Sequence, residues 1–192
     1  MAVLKYPNQD LIDEAFQPYI MAVGRVAHSW NYLQERFGRL FAQVIGGDSR
    51  IAMAVWYSID SDRGQRKMLR SALSVKDIHV SINRKEDDIG DIIWAIKEAD
   101  NASDRRNDAI HGPCSLIIES GGISVFPSYF YGNPRAKKLL GTDVISEFVW
   151  CEATADVLSK FLVGMISSIE HNTEWPHRPR IPPKPPNKKK SQ

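Results

Sequence analysis

The chain has 192 residues, of which 43% are hydrophobic, and a formal net charge of +2. This length and composition predict a single globular domain with its own core. The sequence contains no stretch of about 18 apolar residues, which a membrane span would need. The first ten residues lack the basic and apolar regions of a signal peptide. We therefore expect a soluble, cytosolic protein.

The charge is distributed unevenly along the chain. The last nineteen residues hold six of the 25 basic residues and one of the 23 acidic residues, which leaves 19 bases against 22 acids in residues 1–173. That body lacks the net positive charge with which proteins bind nucleic acids by phosphate neutralisation alone. If RNA is the substrate, local basic patches and the tail must attract it.

The first half of the sequence has helical periodicity. Apolar residues recur at spacings of three and four and predict a long helix over about residues 18–45, with Pro18 opposing an earlier start. Gly46-Gly47 ends this helix. Asp48 or Ser49 then caps a second helix.

Two more helices are predicted before the pattern changes. The third covers about residues 63–75, and the fourth begins at a capping box of Asn83 and Glu86 and ends at His111. Between them, residues 76–83 alternate apolar and polar side chains. That alternation fits either a short strand or an extended linker.

Strand-like segments follow the fourth helix. They flank Gly121-Gly122 and predict a β-hairpin over about residues 114–127. An aromatic loop over residues 129–131 comes next, and Thr142 or Asp143 caps a last long helix. The hairpin is thus inserted between two long helices.

These elements predict a mainly α-helical bundle of four to five helices with an inserted hairpin. We expect one domain over residues 1–173. The Pro- and Lys-rich residues 174–192 are expected to be a disordered tail, because their composition favours extended chain without a core.

One hexapeptide combines a cation, an amide and an imidazole where the fourth helix ends: Arg106-Asn107-Asp108-Ala109-Ile110-His111, followed by Gly112-Pro113. Arg106 continues the apolar register of that helix, which includes Ile92, Ile96 and Ala99. A guanidinium on a buried face costs several kcal/mol to desolvate unless it is paired or lines a cavity. The position of Arg106 therefore indicates a functional site.

This hexapeptide resembles the signature of the HEPN superfamily, the higher eukaryotes and prokaryotes nucleotide-binding domains. The resemblance rests on the Arg, the Asn directly after it, the His four residues later, and the helical sequence around them. It implies a helical bundle that works as a homodimer. For many members it also implies metal-independent endoribonuclease activity, with products that end in a cyclic phosphate. The inserted hairpin departs from the shortest HEPN bundles.

The motif suits RNA cleavage by the substrate's own 2′-hydroxyl, which needs a base, a cation and an acid but in principle no metal or other cofactor. We assign His111 as the base, because the ordinary imidazole pKa of about 6.5 lies near working pH. The planar guanidinium of Arg106 would donate hydrogen bonds to the non-bridging phosphate oxygens. Asn107 would orient the imidazole or the phosphate.

Helix geometry separates the two principal residues. Positions five apart lie about 140° apart around an ideal helix, so Arg106 and His111 do not share a face. Either the Arg side chain wraps round the helix, or two motifs face each other in a homodimer and form one composite site. The resemblance favours the second arrangement. Asp108 either supports the site or pairs with Arg105 or Arg106.

Other candidates lie elsewhere in the sequence. His28, Asn31 and Glu35 lie one turn apart and either support the motif or form a solvated face. A basic stripe on the third helix either tracks an RNA backbone or only improves solubility; it comprises Arg63, Arg66, Lys67 and Arg70. The aromatic residues 129–131 either stack on bases or cover the hairpin.

No metal site or cofactor is predicted. Cys114 and Cys151 form neither a disulfide framework nor a zinc site, and they are expected to be small core side chains. His79, His171 and His177 lack metal-ligand spacing with other candidate ligands.

The sequence therefore predicts a metal-independent endoribonuclease with a toxin or defence role. RNA would be its substrate, a second copy its partner, and an antitoxin or regulatory protein a further partner. Two alternatives stay open. One is a non-catalytic nucleotide- or RNA-binding module that holds a phosphate with the same residues. The other is a structural dimeric bundle in which the motif is an ion-pair network.

Overall fold

The structure, a computed structural model, describes residues 8–119, 122–128 and 132–186. This part of the chain is mainly α-helical and contains seven helices and one two-stranded antiparallel hairpin. The helices are α1 (Gln9–Ile45), α2 (Ser49–Tyr57), α3 (Asp62–Leu73), α4 (Ile78–Ser81), α5 (Glu86–His111), α6 (Pro134–Lys138) and α7 (Val144–His171); the strands are β1 (Cys114–Glu119) and β2 (Gly122–Pro127). The predicted mainly helical class with an inserted hairpin is confirmed.

The chain divides into two compact units. The first comprises Met1–Ala27, Asp104–Cys151 and Pro183–Gln192, and the second comprises His28–Ser103 and Glu152–Pro182. The helices α1, α5 and α7 contribute residues to both units. No helix within the described residues is long and apolar enough to cross a membrane.

α1 is longer than predicted, because it begins at Gln9 and continues through Pro18. A proline inside a helix removes one backbone hydrogen bond and normally kinks or ends the helix. Here Phe16 and Tyr19, on either side of Pro18, pack edge to face with ring centroids 6.4 Å apart. Tyr19 in turn packs against Phe148 of α7 at 5.6 Å. These apolar contacts favour the helix more than the proline opposes it.

The predicted hairpin forms in the first unit, where β1 pairs with β2 and Cys114 lies opposite Pro127. Gly121 of the predicted turn and the predicted aromatic loop at residues 129–131 lie outside the described residues. The sequence pattern does not predict α6, which follows this segment. It begins at Asn133, whose Oδ1 accepts hydrogen bonds from two backbone N–H groups of the helix.

Gly112, directly after α5, allows α6 to pack closely against the end of that helix. A Cβ atom at this position would lie 2.8 Å from both the carbonyl oxygen of Asp108 and the Cδ1 atom of Leu139. Real Cβ atoms do not approach other atoms so closely, so a larger side chain would push the two segments apart. The glycine after the motif is therefore required by packing.

The second unit contains the apolar seam predicted for α1. Its fully buried members are Trp30, Leu33, Phe37 and Leu40. α2 packs against this seam at Gly38, where a Cβ atom would lie 3.0 Å from the ring of Trp56. α2 begins at a predicted cap, because Asp48 Oδ1 accepts from the N–H of Arg50 at 2.8 Å.

Residues 76–83 form neither a strand nor an extended linker, because α4 occupies their centre. Asp77 and Asn83 on either side have φ angles of 59° and 53°, a left-handed conformation that Asp and Asn tolerate better than most residues. The predicted capping box of Asn83 is also wrong. Instead Asp88 Oδ2 accepts from the backbone N–H of Lys85 at 3.1 Å where α5 begins.

The predicted disordered tail is ordered over residues 174–186. Trp175 Nε1 donates to Asp91 Oδ2 of α5 at 2.8 Å, and Arg178 pairs with the same carboxylate. The guanidinium of Arg178 also lies 5.7 Å from the ring of Trp94. A proline-rich chain loses little entropy on ordering and needs no internal hydrogen bonds, so a few aromatic and ionic contacts hold it in place.

Candidate functional site

The end of α5 positions the predicted motif. Ile96 and Ala99 are fully buried and Ser103 is nearly so, as the apolar register predicts. Further along the same register Arg106 and Ile110 are half-buried, and His111 is exposed, although Ala109 is fully buried. The motif therefore begins where a buried helix face becomes accessible.

Arg106 is oriented by its own neighbour. Its Nη1 donates to Asn107 Oδ1 at 3.0 Å, and both side chains are half-buried. The sequence predicts that Asn107 orients the imidazole or the phosphate, whereas in the structure its Oδ1 accepts a hydrogen bond from the guanidinium of Arg106. Asn107 is thus placed to position Arg106.

Arg106 also lies near the thiol of Cys151 on α7. Burial raises the pKa of Cys151 to about 12, and the charge of Glu147 acts in the same direction, whereas Arg105 and Arg106 lower it. Cys151 is fully buried, as predicted for a core side chain. The charge of Arg106 therefore acts on the buried thiol of α7 in the first unit.

His111 is the last residue of α5, and its exposed ring makes no hydrogen bond with any residue that the structure describes. The N–H of Gly112 donates to the carbonyl oxygen of Asp108 at 2.9 Å, so the last turn keeps regular α-helical geometry. Arg106 and His111 of one chain therefore remain about 140° apart around the helix axis. The imidazole and the guanidinium therefore extend from different faces of α5.

The neighbouring cation, Arg105, has a structural partner. Its Nε donates to Glu147 Oε2 at 2.7 Å, a second hydrogen bond completes a bidentate pair, and the Glu147 side chain is 3% exposed. These bonds raise the pKa of the Arg105 guanidinium. Its carbon Cζ lies 5.3 Å from the centre of the Trp150 ring. Sequence analysis does not identify Glu147, although its place beside Phe148 on the apolar seam of α7 marks it as a buried carboxylate.

Asp108 pairs with Lys138 of α6. The sequence suggests instead a pair with Arg105 or Arg106, or a supporting role in the site. The Nζ of Lys138 lies 2.9 Å from Asp108 Oδ2. The carboxylate is 18% exposed and the ammonium 66% exposed. This pair ties α6 to the last turns of α5, next to the motif.

A small cavity of about 190 Å³ lies beside the motif in the first unit. Its lining comprises Arg105, Asp108, Lys138, Leu139, Thr142 and Glu147. Two cations and two carboxylates balance one another there, and the three predicted catalytic residues are not part of the lining. This cavity therefore does not bring Arg106 and His111 together.

The basic stripe on α3 is only partly a surface feature. Arg66 is fully buried and its Nε donates to Asp100 Oδ1 at 2.9 Å, so its predicted contact with RNA is wrong. Arg63, Lys67 and Arg70 are exposed. Arg66 lies three residues before Leu69 and shares its buried face of α3.

His28, Asn31 and Glu35 line one cavity of about 420 Å³ in the second unit. Glu35 pairs with Arg39 at 2.7 Å, one turn further along α1. Gln34 lines the same cavity and is buried. The sequence pattern does not single it out as a site residue. Its place directly after Leu33 on the apolar seam is a signal that would have found it.

The remaining chemistry-bearing groups lie in the core or on the surface. Within the described residues, no group of three or more His, Cys, Asp or Glu side chains is arranged to hold a metal ion. Neither cysteine is in a disulfide. Cys114 is half-buried against Tyr19, and burial together with their hydrogen bond raises the pKa of the tyrosine.

The chain matches no protein-family model, and no curated protein or solved structure is significantly similar to it. The resemblance to the HEPN superfamily therefore rests on the hexapeptide and the helix that carries it.

Proposed function

We propose that the protein is a metal-independent endoribonuclease of the HEPN type, with a toxin or defence role. In this proposal Arg106, Asn107 and His111 from two copies form one composite site for RNA. The observation that supports it best is the accessible imidazole of His111 in the same unit as a half-buried Arg106 that Asn107 orients. Arg105 does not compete for the substrate because Glu147 holds it.

The proposed reaction transfers the scissile phosphate to the adjacent 2′-hydroxyl. His111 removes the 2′ proton while the 2′ oxygen forms a bond to phosphorus, and the bond from phosphorus to the 5′ oxygen breaks. The departing 5′ oxygen takes a proton from the imidazolium of the second copy. Arg106 holds the non-bridging oxygens, whose negative charge grows in the transition state. The products are a 2′,3′-cyclic phosphate and a free 5′-hydroxyl.

The homodimer is part of the proposal for a geometric reason. Regular α-helix to the end of α5 keeps Arg106 and His111 of one chain on different faces. A twofold axis near the end of α5 would bring the His111 of one copy toward the Arg106 of the other. Large apolar side chains remain exposed in the same unit, and among them are Ile145 and Val149, one turn apart on α7.

The test is cleavage of single-stranded RNA by the purified protein in excess chelator. We expect His111→Ala and Arg106→Ala each to lower the rate about 100-fold or more, because each removes a principal group of the proposed mechanism. His177→Ala and Arg25→Ala remove an exposed imidazole and an exposed guanidinium that do not belong to the motif, and they should leave the rate unchanged. Circular dichroism of every variant checks the fold.

The outcomes separate the three hypotheses. Cleavage that both motif variants lose supports the nuclease. RNA binding without cleavage supports a non-catalytic binding module, and neither binding nor cleavage supports a structural bundle. If the site is composite, mixing Arg106→Ala with His111→Ala should raise the rate above that of either variant alone, because the heterodimers bring one intact His111 to one intact Arg106. The rate should stay well below that of the wild type, because each heterodimer lacks the second imidazole that protonates the leaving oxygen.

A further inference from the structure

Three exposed basic side chains border a hollow beside α3 in the second unit. This α3 hollow has a volume of about 430 Å³ and is lined by Arg63, Lys67, Arg70, Ser71, Ser74 and Asp100. Positions 63, 67, 70 and 74 recur at spacings of four and three, so their side chains share one face of the helix. The hollow thus presents cations and hydroxyl groups in a row along this face of the helix.

The one carboxylate in this lining is neutralised from two sides. Asp100 Oδ1 accepts from Arg66 Nε at 2.9 Å, and its Oδ2 accepts from Arg70 Nη2 at 3.2 Å. Two guanidinium groups share one carboxylate, which leaves this trio with a net charge of +1. Among the described residues, no acidic side chain other than Asp100 lines the hollow. Its net charge is therefore positive although residues 1–173 are acidic overall.

The buried Arg66 adds to this positive field from the inside. It is fully buried, and its Nη1 and Nη2 make no hydrogen bond with any described residue. The ring of Trp30 lies 5.7 Å from its guanidinium. A charge in a low-dielectric interior is screened less than one in water, so its field extends further. A surface that serves only solubility has no need of such a buried cation, which is costly to desolvate.

We propose that the α3 hollow binds consecutive phosphate groups of a single-stranded RNA backbone. Arg63, Lys67 and Arg70 contact the phosphates, and Arg66 strengthens the attraction without touching them. The identity of the polyanion rests on the proposed nuclease function. The binding of phosphates itself does not depend on cleavage.

The test measures the affinity for a fluorescent oligouridine by anisotropy between about 50 and 200 mM salt. For single strands, each phosphate contact contributes about 0.7 to the slope of log affinity against log salt concentration. We therefore expect Lys67→Gln and Arg70→Gln each to lower the slope by about that amount. Arg66→Met, which alters no surface group, should weaken binding several-fold.

The matched control is Arg25→Gln, which removes one exposed guanidinium from the first unit and should leave the slope unchanged. Equal slopes for the wild type, Lys67→Gln and Arg70→Gln would overturn the inference, whether or not Arg66→Met folds. Cleavage with unchanged slopes would leave the nuclease proposal standing and remove this one. Lower slopes for Lys67→Gln and Arg70→Gln without any cleavage of RNA would support this inference and contradict the nuclease proposal.

Discussion

Arg105 and Arg106 are adjacent in α5 but have different surroundings. Arg105 forms a bidentate pair with a buried carboxylate, so its loss would leave Glu147 buried without its principal partner. Arg106 instead contacts the amide of Asn107 and is half-buried. A change at Arg105 is therefore expected to lower stability.

Asp100 stabilises the second unit by pairing with the fully buried Arg66. We expect Asp100→Asn to lower the free energy of unfolding by about 3 kcal/mol, because it leaves a buried guanidinium without its counter-charge. Urea denaturation at neutral pH measures this change. Arg70→Ala is the control: it removes a half-exposed partner of the same carboxylate and should cost about 1 kcal/mol or less. Equal losses for the two variants would contradict a structural role of the buried pair.

At the scale of elements, residues 174–186 behave as a strap rather than a tail. Trp175 and Arg178 share the carboxylate of Asp91, and Ser168 Oγ donates to the carbonyl oxygen of Glu174 at 2.6 Å. Gly164 of α7 leaves room for the strap, since a Cβ atom there would lie 3.1 Å from Pro176. The strap is thus integrated into the second unit by its first residues.

Trp175→Ala tests the strap. We expect it to lower the free energy of unfolding by about 2 kcal/mol, because it removes a hydrogen bond and a half-buried ring. Urea denaturation measures the loss, with His177→Ala, an exposed neighbour, expected to stay within about 0.5 kcal/mol of wild type. If the two variants were equally stable, the segment would behave as the disordered tail that its composition predicts.

At the scale of the whole molecule, the burial of weak acids in the first unit makes the free energy of unfolding fall at alkaline pH. Burial raises the pKa values of Tyr19, Cys114 and Cys151, the last to about 12. An unfolded thiol loses its proton near pH 8.5. Between that pH and about 12 the folded chain binds more protons than the unfolded chain, so stability falls as pH rises.

We therefore expect the urea midpoint to be constant from pH 7 to 8 and to fall progressively from about pH 9 to 10.5. Cys151→Ala should reduce the steepness of this fall, because it removes one of the three groups. The measurement is a series of urea titrations for both proteins under reducing conditions. A midpoint that stays constant up to pH 10.5, or an equally steep fall in the variant, would contradict burial of the thiol as its cause.

Local periodicity by itself determined the long helices, the hairpin and the apolar seams, because a helix or strand buries the side chains that its own repeat places on one face. It also placed Arg106 on the apolar register of its helix, whereas the exposure of His111 is known only from the structure. Tertiary structure alone decided that α1 continues through Pro18 and that the proline-rich strap is ordered. It likewise decided that Arg66 is buried and that Glu147 holds Arg105. These outcomes depend on contacts between residues far apart in the chain, such as Arg66 with Asp100 and Trp175 with Asp91, whose energies exceed the local preferences that they oppose.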